Sequence, residues 1–181
     1  YVFFHQPPAW FRLHWRRFED LNSLGGIFCL GRDQANFISS ICDAPVHLIR
    51  HGVRHDFFKP LDDHSRKRGN RLLFVGQWLR DFATLSSAMQ ILWTHRSDVR
   101  LDCVIPCSAR NSDDLRRLAM DERVCWHDKL SDEDLRNIYQ VSDLLFLPLL
   151  DSVANNAILE ALACGLPVVT TNVGATAEYI P

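Results

Sequence analysis

Long apolar runs are missing from this chain, and no stretch approaches the ~20 apolar residues that a membrane-crossing helix requires. A basic, then apolar, then small-residue leader is missing too, so no secretory signal pattern is present. The chain has no initiating Met and opens inside an expected strand, Tyr1-Val-Phe-Phe4. It stops at Glu178-Tyr-Ile-Pro181 with no helix to cover its last strand, which predicts an excerpt of a longer protein, inactive by itself. Six cysteines are present, but none forms a Cys-x-x-Cys pair, and Cys103 and Cys107 are separated by three residues. That spacing predicts buried, reduced thiols, a cytoplasmic compartment and no structural zinc. His51 and His55 lie four apart in an expected loop, where that spacing does not join two metal ligands on one face. Net charge is only −2, and Arg66-Lys-Arg-Gly69 lacks interleaved aromatics, so a nucleic-acid partner is not expected. Gly76 is not followed by the Gly-x-x-Gly remainder of a dinucleotide turn, which argues against a nicotinamide dehydrogenase.

What is present is ordinary globular composition, 47% apolar, in 181 residues. That length holds one large domain, or one domain with part of another. From Arg71 onward strands and helices alternate. Leu72–Val75 is a strand ending in Gly76, and Asp81–His95 carries Phe82, Leu85, Met89, Leu92 and Trp93 at helical spacing. Val99–Ile105 reads as a strand stopped by Pro106, and Ser112-Asp-Asp-Leu as a capped helix start. Val124–Trp126 is a short strand, Ser131 caps a further helix, and Leu144–Leu150 is a central strand. Such alternation predicts an α/β fold with a doubly wound, Rossmann-like parallel sheet. Residues 1–61 show a second set: strand Val2–Phe4, helix Trp10–Leu24, strand Ile27–Leu30, helix Asp33–Ile41 and strand Val46–Arg50. They predict the trailing part of a second Rossmann-like domain. Residues 62–70 lack apolar periodicity and read as a linker, leaving 71–181 as the larger domain.

The chemistry concentrates in Asp151-Ser-Val-Ala-Asn-Asn-Ala-Ile-Leu-Glu160, followed by Ala-Leu-Ala-Cys-Gly165-Leu-Pro-Val-Val-Thr170. Asn156 and Glu160 are four apart on an otherwise apolar helix and share one stripe. A carboxylate there either faces water or meets a polar ligand, because an unpaired buried charge is expensive. Gly165 and Pro167 end the helix and launch a β-branched strand. Strand, polar helix start and strand in succession read as a ligand crevice at the carboxyl edge of a parallel sheet.

This stretch resembles the donor-sugar segment of family-4 retaining glycosyltransferases of the two-Rossmann-domain, GT-B type. Glu160-Ala-Leu-Ala-Cys-Gly-Leu-Pro-Val-Val169 follows the family's glutamate, alanine-rich turn and Gly-x-Pro strand entry. The resemblance implies that Glu160 contacts the nucleotide ribose. The family's earlier glutamate position is Ser152 here, preceded by Asp151, and Asp151, Asn155 and Asn156 are the candidates for sugar or phosphate contacts. His51-Gly-Val-Arg-His-Asp-Phe-Phe-Lys-Pro60 is similar to the family's interdomain segment.

The resemblance also makes 71–181 the donor-binding domain and 1–61 the acceptor side. Gly76 and Arg80 are then expected at the donor diphosphate, and His127, Lys129 and Leu130 in the turn whose backbone meets the nucleobase. His127 reads equally as a satisfied loop histidine. His5, at the mouth of the first strand, is either a donor contact or a turn residue. Trp10–Phe18, with three arginines, is a packed amphipathic helix or a surface touching membrane or acceptor.

The implied reaction moves a hexose from a nucleotide diphosphate sugar to a carbohydrate or lipid-linked acceptor with retention of configuration. His5, Arg80 and Glu160 are the expected catalytic set. No cofactor or metal is implied, since arginine and helix dipoles can carry the phosphate charge. An epimerase or phosphorylase of the same fold, or a non-catalytic nucleotide-binding domain, are the alternative readings.

Overall fold

The computed structural model describes residues 1–61 and 69–180. Most of the expected linker, 62–68, therefore lies outside the described residues. The chain divides into two compact units. One comprises Tyr1–Gly52, Asp151–Asn155 and the residues from Asn172 onward; the other comprises Val53–Leu150 and Asn156–Thr171.

The first unit holds a three-stranded parallel sheet, ordered β1 (Val2–Phe4), β2 (Ile27–Cys29), β3 (Val46–Leu48), with helices α1 (Pro8–His14) and α2 (Arg32–Ser39). Phe4, Ile27, Cys29 and Ile38 form its core with Phe11 and Leu21. The single helix expected over Trp10–Leu24 is instead two pieces, α1 and a 3₁₀ helix at Phe18–Ser23. The break falls at Trp15, whose backbone turns extended (φ −102°, ψ 126°). Its ring then packs edge-on to Phe4 at 5.6 Å, and its indole N–H donates to Arg17 O at 3.1 Å. Burial of that ring outweighs continuation of the helix.

The second unit contains β4 (Arg71–Val75), α3 (Phe82–His95), β5 (Arg100–Val104), α4 (Asp113–Ala119), β6 (Val124–His127), α5 (Asp132–Val141), β7 (Leu144–Leu147), α6 (Asn156–Ala163) and β8 (Val168–Thr170). Its five strands are all parallel in the order β6-β5-β4-β7-β8. The chain steps outward from β4 to β6 and then returns past β4 to β7. The topological switch therefore lies between β4 and β7, where open α/β sheets place ligands outside the carboxyl ends of the strands. Leu73, Phe74, Leu101, Leu145 and Leu147 are buried with Leu85, Met89, Ile158 and Ala161 from the covering helices. Each large apolar side chain buried this way contributes about 1.5–3 kcal/mol.

The units differ from the expected boundaries at 61 and 71 for local reasons. Val53–Leu61 joins the larger unit because α5 holds it: Gln140 Nε2 donates to Lys59 O at 2.7 Å, and Phe58 lies edge-on to Tyr139 at 6.0 Å. Asp151–Asn155, expected at a helix start, has no helical backbone and precedes α6. It joins the smaller unit, where Ala175 N donates to Ser152 O at 2.9 Å. Gly174 makes that approach feasible: at φ +53°, a Cβ there would lie 2.0 Å from Ser152 O.

All six cysteines are free, but only Cys29, Cys103 and Cys164 are buried, and Cys107 and Cys125 are exposed. Cys125 lies on β6, which is an edge strand of the sheet. Among the described residues no helix is long and apolar enough to cross a membrane.

Candidate functional site

The loop that leaves β4 is organised by Arg80. Its Nε donates to Val75 O at 2.9 Å and its Nη1 to Trp78 O at 3.0 Å, so the guanidinium folds back beneath the turn. Gly76 takes φ +89°, and a Cβ there would sit 2.9 Å from Arg80 Nη2. The glycine thus serves both the left-handed backbone and the approach of the arginine. Burial pulls the Arg80 pKa down to about 10, which leaves it charged at neutral pH. An antiparallel bridge from Arg80 to Leu149 joins this loop to the segment leaving β7, with Leu150 N donating to Leu79 O at 3.0 Å. The two strand exits that flank the switch point are therefore tied together.

The first turn of α3 offers little to an anion. Asp81 caps it, accepting from Thr84 N at 2.9 Å and Thr84 Oγ1 at 2.6 Å. Those hydrogen bonds hold the Asp81 carboxyl below its ordinary range. The first turn of α6, like that of α3, contains no acidic residue, and the residue before it is Asn155 rather than an aspartate cap. Asn156 begins that helix and is exposed, while Glu160, one turn further on, is half-buried.

Burial pushes the Glu160 carboxyl above its usual value; the Tyr139 hydroxyl opposes the rise and Asp132 adds to it. Among the described residues no basic group supports that carboxylate. Tyr139 is fully buried, at 0% exposure, and lies in the fields of both Glu160 and Arg80. Its interaction with Glu160 is electrostatic rather than a closed hydrogen bond, because Tyr139 Oη has no partner that meets hydrogen-bond geometry. Burial and the Glu160 charge both raise the phenol's pKa, so Tyr139 stays protonated. Tyr139 thus stands electrostatically between two expected site residues. In the sequence it reads only as part of the apolar face of α5, and the sole signal is a hydroxyl on that face.

The turn after β6 is held from inside. His127 Nε2 donates to Asp102 Oδ1 at 2.7 Å, and Arg71 Nε and Nη2 donate to Asp102 Oδ2 at 3.0 and 2.9 Å. Asp102 is 1% exposed. Arg110 Nη2 donates to His127 O at 2.8 Å, and Arg110 Nε to Ile105 O at 2.9 Å, with its guanidinium 4.9 Å from the Trp126 ring centroid. Lys129 has φ +52° and is exposed; Leu130 is half-buried. Asp102, Cys125 and His127 offer three ligand atoms within 4.8 Å. The set does not suit a cation, because one Asp102 oxygen is engaged by His127 and the other by the positive Arg71. Asp132-Glu-Asp134, the one Asp-x-Asp spacing, is the first turn of α5, capped by Ser131, whose Oγ accepts from Asp134 N at 3.1 Å.

In the smaller unit, Asp151 Oδ1 accepts from Ser152 N at 2.7 Å, Ser152 is buried, and Asn155 is buried as well. Asp151, Ser152 and Val153 line a cavity of about 260 Å³ with Arg12, Asp33 and Gln34. His5 is exposed at the end of β1, its ring centroid 6.5 Å from that of His51. Arg12 and Leu13 of the Trp10–Phe18 stretch face solvent while Phe11 is buried. The structure thus brings Arg80 and Glu160 to either side of Tyr139, sets Gly76 against Arg80, and groups Asp151 with Ser152.

The family model described as "Glycosyl transferases group 1" matches residues 69–181. The D-inositol 3-phosphate glycosyltransferase of Arthrobacter sp. (strain FB24) is 32% identical over 117 residues, which are 60% of this chain and 28% of that protein. Sucrose-phosphate synthase from Thermosynechococcus elongatus superposes with a TM-score of 0.73 at 18% identity, over 95% of this chain and 50% of the other. A mutant S. aureus TarM, solved with Fondaparinux, alpha-GlcNAc-glycerol and UDP, superposes with a TM-score of 0.71 at 11% identity, over 91% of this chain and 33% of that one. Likenesses at such identities establish the fold, which is that of GT-B glycosyltransferases. The chain spans about half or less of the length of these relatives.

Proposed function

Because the chain belongs to the group 1 glycosyl transferases, we propose that its larger unit binds the nucleotide diphosphate sugar of a retaining hexosyltransferase. The observation that carries this reading is Glu160. It is a half-buried carboxylate on an apolar helix beside the β4–β7 switch, held above its usual pKa by burial and lacking a basic partner among the described residues. A group so placed is suited to accept hydrogen bonds from the vicinal hydroxyls of a ribose, and those bonds offset its desolvation.

Arg80 and the acid-free first turn of α6 supply positive potential for the diphosphate. As the sugar–phosphate bond breaks, negative charge grows on the leaving β-phosphate. A fixed guanidinium and fixed amides stabilise it without having to reorganise. The tie between Arg80 and the β7 exit supports such rigidity. Asp151, Ser152, Asn155 and Asn156 are the candidate contacts for sugar hydroxyls, and His5 for the sugar or departing phosphate. His127, Lys129 and Leu130 belong to the nucleobase turn. The acceptor is a carbohydrate or lipid-linked sugar in the cytoplasm, and the exposed arginines of Trp10–Phe18 are suited to peripheral contact with an anionic membrane. Neither a cofactor nor a metal has a role in this scheme.

Thermal shift of the full-length protein with UDP-, GDP- and ADP-sugars tests the reading. One donor class is expected to raise the midpoint, and Glu160→Ala to abolish the rise without lowering the ligand-free midpoint appreciably. Absence of any nucleotide-sugar response, or an equal response in the variant, overturns it. The anomeric configuration of product from a labelled donor separates retention from inversion, and transfer from epimerisation.

A further inference from the structure

We infer that His127 is a positioning residue for nucleobase recognition: clamped on Asp102, it fixes the backbone of Asp128–Leu130 in a single conformation for reading the base. The inference rests on the donor-binding role proposed above and adds the device that would make the turn selective.

Three independent attachments converge on one residue. The His127 ring is bonded to a carboxylate that is itself 1% exposed and anchored to the first residue of β4 through Arg71. The His127 carbonyl accepts from Arg110 at 2.8 Å and from Ile105 N at 3.3 Å, so the main chain is tied to the exit of β5. Beyond it the main chain enters a left-handed conformation at Lys129 (φ +52°), which costs a residue with a Cβ about 1–2 kcal/mol. Such a conformation persists where its surroundings over-determine it, and His127 supplies the surroundings on the strand side.

Consequently His127 Nε2 and the His127 carbonyl are both engaged within the unit. Beyond it Asp128 and Lys129 are exposed and Leu130 is half-buried, so the turn that would meet a base begins where His127 is held. Backbone amides and carbonyls discriminate bases only while their directions are fixed, because each base edge differs in the order of its donors and acceptors. Loosening His127 should therefore flatten base preference while sparing whatever binds the diphosphate.

Calorimetric titration of the full-length protein with UDP, GDP, ADP and inorganic pyrophosphate provides the test, on wild type, His127→Ala, His127→Gln and Asp102→Asn. Wild type is expected to prefer one base by about tenfold or more, the scale set by one or two well-made hydrogen bonds. In His127→Ala that preference should collapse to about threefold or less with pyrophosphate affinity unchanged. His127→Gln, which keeps a side-chain N–H donor, should restore part of it, and Asp102→Asn should lie between. If the alanine variant fails to melt cooperatively, the glutamine variant is judged by the same ratio. Preference retained in a folded His127 variant, or no preference in wild type, overturns the inference alone. Failure of every nucleoside diphosphate to bind wild type overturns the donor-binding reading beneath it.

Discussion

The exits of β4 and β5 solve one problem with the same part. In each, an arginine five residues after a strand-end carbonyl turns back and donates its Nε to that carbonyl at 2.9 Å, Arg80 to Val75 and Arg110 to Ile105. Each guanidinium also takes a second carbonyl: Trp78 O for Arg80, His127 O for Arg110. Both neighbourhoods contain a non-glycine residue in the left-handed region, Leu79 (φ 56°) and Lys129 (φ 52°). The difference lies in what supports them. The β4 exit depends on a glycine and on its bridge to Leu149, whereas the β5–β6 exits depend on a buried charge cluster centred on Asp102. An arginine near a strand end is therefore first a brace for strained backbone. Ligand binding is a second use of a guanidinium already held in place.

The comparison breaks hardest at Asp102. Asp102→Ala removes the acceptor of both His127 and Arg71, leaving the half-buried imidazole and guanidinium without it. A loss of about 2–4 kcal/mol is expected, moderated because the Arg71 side chain is 40% exposed and screened. The urea midpoint should fall with the slope unchanged. Gly76→Ala follows, at about 2 kcal/mol, from a Cβ forced at φ +89° and placed 2.9 Å from Arg80 Nη2. It should also weaken diphosphate binding, whereas Asp102→Ala should act mainly through stability and base preference. Smaller again are Arg80→Lys and Arg110→Lys, about 1–2 kcal/mol each, because an ammonium cannot serve two carbonyls in a fixed fork. Arg110→Lys should cost more, since it also loses the stack on Trp126. Equal losses would show that the Trp126 contact adds nothing, and a larger loss at Arg80 would show that the two braces differ in kind.

How much of this was readable beforehand follows from the range of each interaction. The alternation of apolar strands with amphipathic helices from Arg71 reveals the doubly wound sheet, since each element carries its own period. Glu160 stands out because a lone carboxylate contradicts the apolar helix around it. The helix over Trp10–Leu24 misleads because its period runs on through Trp15, and the break is a tertiary effect of packing that ring on Phe4. Asp102 and His127 are 25 residues apart and meet only through the register of β5 against β6, which no local pattern specifies. Arg80 and Arg110 are visible as cations, but their carbonyl partners leave no trace in side-chain identity. Tyr139 hides for the opposite reason: on an amphipathic helix a tyrosine looks like any other large apolar residue.

The finest test of the switch-point region is the pH dependence contributed by Glu160, smaller than any effect above. Its carboxyl is raised in the folded state, first by burial and then by Asp132, with Tyr139 opposing. Between the usual glutamate value and that raised value, the folded chain binds more protons at this site than the unfolded chain does. Stability from this group is therefore fully present below the usual glutamate value and declines as pH rises through the raised one. Glu160→Gln should remove that decline, so the difference in urea midpoint between variant and wild type should grow in the variant's favour from mildly acidic pH toward neutrality. Tyr139→Phe should act in the reverse sense, removing the one influence that lowers the Glu160 pKa and steepening the decline. At the β5–β6 exits Asp102 is held by the Arg71 guanidinium and the His127 ring, and among the described residues no basic group does the same at Glu160. A flat difference across that range would mean Glu160 is as well compensated in the ligand-free chain as Asp102. It would then have no unmet demand for a ribose to satisfy.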